Sequence, residues 1–343
     1  MTEKLNKLCS LAGPSGFEDE VRNYIREHVA DYADEIREDS IGNLIVFKKG
    51  ANRRKKKLMV CAHMDEVGMI IKEVTADGYL KFDFVGGVDR RVAIGKRVLV
   101  GDKKIPGLIG LRAIHLTTKE ERKKTPKLSE LCIDIGCEKK SSAEKLVSPG
   151  DYAIFDSDVK MLSEHRIKAR AIDDRAGCAV MLELLEEDLA YDTYFAFTVQ
   201  EEVGCRGAVS ASYSVEPDLA LVIEGTTAAD IPSSEGAGRV CSLANGAVIG
   251  CMDGSTIYDK KLFEFLRRLA EEKGIKWQMK SKVAGGTDAG KIHISKKGVR
   301  TTSLSVPTRY IHSPSCVADT RDMEAVLMLA REFINSEEEK LYV

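Results

Sequence analysis

Two adjacent carboxylates, Glu201 and Glu202, stand directly after a run of strand-forming residues at 194–199. Neighbouring side chains on an extended backbone point to opposite faces, so these two acids cannot do the same job. One of them can bind a metal ion while the other reaches into the site as a base. The pair is weak evidence by itself, because about a quarter of the residues in an average protein are charged. Its weight comes from histidines and acids at comparable positions elsewhere in the chain.

A histidine and an aspartate follow a second strand-like run. The apolar segment 57–62 ends in His63, and Asp65 comes two residues later. In open α/β sheets, ligands bind beyond the carboxyl ends of strands. Asp65 is spaced to fix the tautomer of the imidazole, as the hydrogen-bonded partners of metal-binding histidines do. The same spacing is also typical of a His–Asp pair on the surface, so this motif alone does not decide between the two uses.

Three further segments carry acids or an imidazole. Asp173 and Asp174 begin a predicted helix, where one acid can cap the helix and the other can bind metal. Glu224 follows an apolar strand-like run, and His312 precedes a proline turn. Each of these residues, taken alone, more commonly has a structural role. Together with His63 and the glutamate pair they predict the ligand set of a two-metal hydrolase, because zinc and cobalt accept this mixture of nitrogen and oxygen donors.

Composition excludes several other classes of protein. The 343 residues are 43% hydrophobic and 31% charged, and their net charge of −2 gives no basic field that would indicate nucleic-acid binding. The basic run 53–57 is interpreted as a solvated hairpin turn between two strands. No apolar run approaches the length of a membrane span, and the N-terminus lacks the apolar stretch of a signal peptide. The nine cysteines are scattered without a CxxC pair, which favours a reducing, cytoplasmic location.

Helices alternate with strands in the second half of the chain, which predicts an α/β fold with a largely parallel sheet. Between 68 and 164 short β-rich runs and glycine turns predict a small all-β, barrel-like insertion domain. The insertion therefore divides one α/β-α catalytic domain into residues 1–67 and 165–343. The strands 40–47 and 57–62 are expected to pair with each other. The remaining predicted elements are helices at 5–11, 18–29, 176–187, 256–273 and 321–336, and strands at 193–200, 219–223 and 299–303.

Six motifs resemble those of the M42 family of metallo-aminopeptidases, to which the glutamyl aminopeptidases and the tetrahedral TET peptidases are related. These motifs are AHMDEVG at 62–68, AIDDR at 171–175, QEEVG at 200–204, EGTT at 224–227, GGTDAG at 285–290 and IHSP at 311–314. They extend from the first buried strand to near the C-terminus. The resemblance therefore covers essentially the whole chain.

The resemblance implies a role for each ligand. Asp173 would bridge two divalent ions, which would be Zn²⁺ or Co²⁺, with Mn²⁺ also possible. His63 and Glu224 would complete one site, while Glu202 and His312 would complete the other. Many family members have Asp where Glu224 stands in this chain. The longer acid still coordinates, but it is expected to alter the relative affinity of that site for these metals.

The resemblance also implies a mechanism and an assembly. A water that bridges the metals would attack the peptide bond, with Glu201 as the catalytic base and Asp65 as the orienting acid, and N-terminal residues would be removed from peptides. The insertion would be the dimerisation domain of a homo-oligomer in which dimers assemble into a tetrahedral dodecamer. Neither nucleic acid nor membrane is an expected partner.

Other functions remain open from the residues alone. The loop 285–291 nearly matches a phosphate-binding P-loop, but Ile292 stands where the Mg²⁺-ligating hydroxyl is needed, and a role in lining the substrate pocket is favoured. A glycoside hydrolase would use two carboxylates but would leave His63 and His312 idle. A non-catalytic, metal-stabilised scaffold would not require Glu201. Hydrolysis of acyl-amino acids could use similar two-metal chemistry.

Overall fold

The computed structural model describes residues 1–342, which form a mixed β-sheet with helices on both faces and a separate β-barrel. The strands are β1 (Glu35–Glu38), β2 (Leu44–Lys48), β3 (Leu58–His63), β4 (Gly68–Val74), β5 (Leu80–Val85), β6 (Arg97–Val100), β7 (Ile105–Gly110), β8 (Cys132–Asp134), β9 (Tyr152–Phe155), β10 (Lys160–Met161), β11 (Arg166–Ala169), β12 (Thr193–Thr198), β13 (Leu219–Thr227), β14 (Ala247–Ile249), β15 (Trp277–Met279), β16 (Arg300–Arg309) and β17 (Cys316–Asp319). The helices are α1 (Thr2–Ser10), α2 (Asp19–Val29), α3 (Arg90–Ala93), α4 (Lys119–Arg122), α5 (Lys140–Ala143), α6 (Ile172–Glu186), α7 (Arg206–Val215), α8 (Lys260–Glu272), α9 (Ala289–Ile292), α10 (Thr320–Ile334) and α11 (Glu338–Tyr342).

The main sheet has the order β1-β2-β12-β3-β13-β16-β17-β11-β10, with β14 and β15 extending from β16. Its four central strands, β12, β3, β13 and β16, run parallel to their neighbours in that group. The strands on either side pair antiparallel. The predicted α/β class with a barrel insertion is confirmed, and the parallel part of the sheet is its centre.

The expected pairing of strands 40–47 and 57–62 is wrong. β12 lies between them, antiparallel to β2 and parallel to β3. The basic run 53–57 is therefore not a hairpin turn but part of a connection that passes over one strand, and Arg53 in it pairs with Asp192 at 2.6 Å. Consecutive strands are neighbours in only about two-thirds of cases, and here a strand from much later in the chain inserts between them.

Alternate residues of the central strands pack against different helical layers. In β3, Leu58 and Val60 belong to the core formed with α1, α2, α6, α8 and α10. Met59 and Cys61 belong to the core on the opposite face, which is formed with α7 and α9. A strand that is apolar on both faces must be covered on both, so its continuous hydrophobic run follows from this three-layer arrangement.

The insertion is a closed antiparallel barrel of six strands in the order β4-β5-β8-β7-β6-β9. Its interior is filled by apolar side chains such as Met69, Val98 and Ile133, which form a core separate from the main one. The chain leaves the main sheet after β3, and β10 pairs with β11 in the main sheet on its return. Within residues 1–342, none of the helices combines the length and apolar character that a bilayer crossing requires.

Candidate metal centre

The four central strands deliver most of the predicted site residues to one edge of the sheet. Parallel strands end at the same edge, and this is where open α/β sheets bind ligands. His63 is the last residue of β3, and its partner in register is Thr198, the last residue of β12. Glu201 and Glu202 come three and four residues after Thr198, so they lie just beyond the same sheet edge, near the imidazole of His63. Glu224 lies within β13, three residues before that strand ends.

The first donor group consists of His63, Asp173 and Glu224. The His63 Nε2 atom lies 3.4 Å from an Asp173 oxygen and 3.1 Å from Glu224 Oε1. The other ring nitrogen, Nδ1, is 3.0 Å from the backbone carbonyl oxygen of Asp65. Because a carbonyl only accepts, Nδ1 carries the proton, and the lone pair of Nε2 faces both acids and can bind a cation. The His63 side chain is 2% exposed, so this group is closed to solvent on its imidazole side.

The second donor group consists of Asp173, Glu202 and His312. The His312 Nε2 atom lies 3.2 Å from a Glu202 oxygen and 3.6 Å from Asp173 Oδ2. Its Nδ1 atom is 3.0 Å from the carbonyl oxygen of Gly87, which follows β5 of the barrel. The insertion therefore fixes the tautomer of this imidazole. His312 is 32% exposed and follows β16 on a loop.

The two neighbouring aspartates have different contacts. The Asp173 carboxylate lies between the two imidazoles and belongs to both donor groups. Asp174 accepts a hydrogen bond at Oδ1 from the backbone N–H of Gly177 (2.9 Å) and one at Oδ2 from the backbone N–H of His63 (3.3 Å). The backbone of Asp173 and Asp174 is not helical, so Asp174 caps the regular turns of α6 that follow it and ties them to the end of β3. These contacts show that Asp174 is the capping acid and that Asp173 is the acid facing the imidazoles. The sequence alone could not distinguish the two.

Asp65 is fully buried and supports the backbone of the glutamate pair. Its Oδ1 accepts from the N–H of Glu201 at 2.9 Å, and its Oδ2 accepts from the N–H of Glu202 at 3.1 Å and from the hydroxyl of Ser15 at 2.6 Å. Oδ1 also lies 3.4 Å from His63 Nδ1. The carboxylate that the sequence singled out to orient an imidazole therefore also positions both glutamates, and Ser15 is a supporting residue that sequence reasoning missed.

The donors fit divalent cations. Two buried oxygens, Asp173 Oδ1 and Glu224 Oε2, have no hydrogen-bond partner. Burial raises the pKa of Glu202 and of Glu224, and repulsion from neighbouring acids adds to the rise. Burial opposes protonation of His312, yet the acids beside it raise the pKa of that imidazole to about 11. Positive charge between these groups would relieve the repulsion and satisfy the unpaired oxygens, and the donor set of imidazole and carboxylate suits zinc or cobalt.

Glu201 belongs to neither of the two donor groups, but it lies beside them. Its Oε2 is 3.9 Å from His63 Nε2. The side chain lines a cavity of about 510 Å³ that also exposes Glu202 and Glu224. Burial raises the pKa of Glu201 to about 8, and repulsion from Asp288 and Glu202 contributes to the rise. A carboxyl with this proton affinity, next to a cation site, is suited to accept and return a proton.

Sequence reasoning missed two residues that flank Glu201. The thiol of Cys205 donates to Glu201 Oε1 at 3.2 Å. Asp288 is 1% exposed and accepts a hydrogen bond of 2.5 Å from the Thr198 hydroxyl. Cys205 follows the glutamate pair closely, but its type gave no reason to single it out. Asp288 stood within the glycine-rich loop, which was the one available signal.

That loop, 285–291, lines the cavity as predicted and is not a phosphate cradle. Its carboxylate, Asp288, is buried inside the loop, where it would repel a phosphate. The helix that follows, α9, has only four residues, so it offers little of the dipole that P-loops direct at phosphates. The P-loop alternative therefore does not hold.

Four of the ten non-glycine residues that adopt left-handed backbone within residues 1–342 lie among or beside the predicted site residues. Ala171, Gln200, Cys205 and His312 all adopt left-handed backbone, with φ between 54° and 58°. Residues other than glycine rarely do so, and each such residue costs on the order of 1–3 kcal/mol. Strain of this kind is typical of functional sites, because the surrounding structure must hold the side chains in place against it.

Comparisons with known proteins agree with this geometry. The family described as M42 glutamyl aminopeptidase matches residues 42–329. The chain belongs to this family. Relatives of this M42 chain include the lysyl aminopeptidase of Pyrococcus furiosus, which is 31% identical over 97% of this chain and 96% of its own.

Solved structures of aminopeptidases share the fold of this M42 chain. Aminopeptidase APDkam598 from Desulfurococcus kamchatkensis superposes with a TM-score of 0.94 at 38% identity, covering 99% of this chain and 96% of the other. The Pyrococcus horikoshii TET1 peptidase, which can assemble into a tetrahedron or a large octahedral shell, gives a TM-score of 0.86 at 33% identity, with 98% and 99% covered. The protein is therefore a metallo-aminopeptidase, a hydrolase that removes N-terminal residues. The scaffold alternative is therefore wrong, and the glycoside-hydrolase alternative would still leave both imidazoles without a role.

Proposed function

We propose that this aminopeptidase holds two divalent cations that share Asp173. His63 and Glu224 would complete the first site, and Glu202 and His312 the second. The ions would be Zn²⁺ or Co²⁺, with Mn²⁺ also accommodated. The observation that carries the proposal is that one carboxylate belongs to both donor groups, each within a span of 4.8 Å.

When bound, the cations would polarise the scissile carbonyl and lower the pKa of a bridging water from near 16 towards about 7. Glu201 would take the proton of the attacking water and pass it to the amine that leaves. Burial raises the pKa of Glu201 above its ordinary value, and a raised proton affinity supports this role, since a proton acceptor works best near the ambient pH. Asp65 would hold the Glu201 backbone in place through its 2.9 Å contact.

The substrate would be a peptide bound by its free N-terminus. Acids that hold neither proposed cation, Glu201 and Asp253, also line the cavity, so a free α-amine can ligate a cation or meet one of these acids. The cavity volume of about 510 Å³ is enough for one or two residues and excludes a folded protein. Glu201 supports a catalytic role, because a site that only stabilises the fold would need no acid beyond its ligands.

The test exchanges each glutamate of the pair for glutamine. Glu201→Gln keeps the shape of the side chain but removes the base, so we expect unchanged cation content and a loss of kcat of about 10²–10⁴-fold. Glu202→Gln is the matched control, since the same change at a ligand should lower the cation content instead. Cation analysis and steady-state kinetics on an aminoacyl amide separate the two roles. An unchanged kcat in Glu201→Gln would refute the assignment of the base.

We also infer a homo-oligomer in which dimers, formed through the insertion at 68–164, assemble into a tetrahedral dodecamer. The TET1 relative assembles into a tetrahedron, and this chain shares its fold over nearly its full length. The insertion exposes apolar side chains, including Ile114 at 70% and Leu116 at 61% of their surface. Size-exclusion chromatography with light scattering tests this, because it measures the molar mass of the assembly. Charged replacements at both positions should then yield smaller species.

A further inference from the structure

A third group of potential ligands lies beside the proposed two-cation centre. It consists of Glu201, Cys205 and Asp288, and one ligand atom from each lies within 4.8 Å of the other two. The Cys205 thiol and Glu201 Oε1 are 3.2 Å apart. Glu201 and Cys205 both line the cavity of about 510 Å³, so a small ion that enters with solvent can reach them. None of the five proposed ligands of the main centre belongs to this group.

Asp288 provides independent evidence for a missing partner. The residue is 1% exposed. Its Oδ2 accepts hydrogen bonds from Thr198 at 2.5 Å and from the Cys61 thiol at 3.4 Å, whereas its Oδ1 has no hydrogen-bond partner. A buried carboxylate oxygen without a partner loses the solvation it had in water and gains nothing in exchange. A cation held by Asp288, Glu201 and Cys205 would compensate the charge of this buried carboxylate.

We propose that Glu201, Cys205 and Asp288 form a third, inhibitory cation site that takes a thiophilic divalent ion of the zinc, cobalt or cadmium class. A thiolate ligand favours these ions over magnesium, calcium or manganese, which prefer oxygen. Binding forms a metal–sulfur bond and releases the thiol proton to solvent, without any change of oxidation state. The inhibitory effect rests on the proposed role of Glu201 as base, because a carboxylate that holds a cation cannot accept a proton from water.

The state of the thiol without the cation agrees with this site and disfavours a reactive cysteine. Burial raises the pKa of Cys205, and the neighbouring acids Glu201 and Asp288 raise it further. Cys205 is therefore a neutral thiol that donates to Glu201 at rest, and it does not have the stabilised thiolate of an oxidation-sensitive residue. A divalent ion reverses that balance, since a coordinating thiol is deprotonated outright.

The experiment titrates the holoenzyme, loaded with two Co²⁺ per chain, with further Co²⁺. The main centre has only nitrogen and oxygen donors, so a thiolate-to-cobalt charge-transfer band in the near ultraviolet reports the third site alone. We expect this band to grow with a third equivalent while kcat falls about 10²-fold or more. Equilibrium dialysis with metal analysis gives the stoichiometry independently of activity.

Two cysteine variants locate the ion. Cys205→Ala should bind two ions, lack the band and keep the same kcat with and without excess Co²⁺. Cys137→Ala is the matched control, because Cys137 is also a free, half-buried thiol but lies in the insertion, and it should behave like the natural protein. The proposal is overturned if the natural protein shows neither band nor third equivalent, or if Cys205→Ala retains both. A third ion that binds through Cys205 without lowering kcat supports the site and counts against Glu201 as base.

Discussion

The two donor groups share Asp173 but are supported in different ways. His63 is the last residue of a central strand, 2% exposed, and its ring is fixed by a carbonyl two residues further along the chain. His312 follows the end of β16, is 32% exposed, and its ring is fixed by Gly87 of the barrel. The first group is therefore set by the register of the sheet, whereas the second requires the barrel to be docked against it. We therefore expect the affinity of the proposed second cation site to depend on the insertion.

The largest expected effect comes from removing one of the two imidazoles, which should abolish one cation site and leave the other. His312→Ala removes a ligand of the second group only, so the cation content should fall from two towards one per chain, and kcat/KM by at least about 100-fold, because one ion no longer stabilises charge in the transition state. Elemental analysis after dialysis measures the content. His165→Ala, at a partly exposed histidine outside both groups, is the control. Two fully retained ions in His312→Ala would remove this residue from the ligand set.

A change at the shared acid should weaken both sites together. A Cβ atom on Gly225 would lie 2.6 Å from Asp173 Oδ1, closer than real contacts allow, so Gly225→Ala must displace that carboxylate. We expect the affinity for both cations to fall about 10- to 100-fold, as it does when a ligand loses its support. Gly238→Ala is the matched control, since a Cβ atom there has no other atom within 4 Å. If competition with a chelator shows only one weakened site, Asp173 is not shared.

A smaller effect should reach the second site alone, through the barrel. Gly86 has a φ of +82°, and a Cβ there would lie 2.8 Å from Val67 Cγ1, so Gly86→Ala shifts the segment whose next carbonyl holds His312. We expect about tenfold weaker binding of one cation and unchanged binding of the other. Gly95→Ala is the matched control. It introduces similar backbone strain, with a φ of +72°, but its Cβ would meet no atom within 4 Å, so both cations should bind as in the natural protein. Equal weakening of both sites by Gly86→Ala would contradict the separate support of the two groups.

The smallest effect concerns the support of the glutamate pair. Ser15→Ala removes the 2.6 Å hydrogen bond to Asp65 and leaves that buried carboxylate with one donor fewer. The free energy of unfolding should fall by about 1–3 kcal/mol. The backbone N–H groups of Glu201 and Glu202 still donate to Asp65, so kcat/KM should fall less than about tenfold. Urea unfolding of the metal-loaded protein, with the exposed Ser10→Ala as control, measures the first effect. A large loss of activity without loss of stability would assign Ser15 a direct role at the substrate.

Local pattern was sufficient to predict the elements that carry the site. Buried strands read as continuous apolar runs, so the ends of β3, β12 and β13 could be placed within a few residues from sequence. The neighbour of β3 could not be placed, because apolar strands are interchangeable in pattern and only the packed sheet decides which of them pair. Cys205 and Asp288 were missed for a related reason, since residues 83 positions apart meet around Glu201 without any spacing that connects them.

The sequence by itself determined the chemistry available to this protein: two imidazoles and a set of carboxylates after strands, in motifs that assign the chain to a family of metallo-aminopeptidases. Tertiary structure decided which acid is shared, which one caps a helix and which carbonyl fixes each imidazole. The reason is physical. Ligand type and strand periodicity are properties of a residue and its near neighbours, whereas a hydrogen bond such as that between His312 and Gly87 exists only once the main sheet and the barrel are packed together.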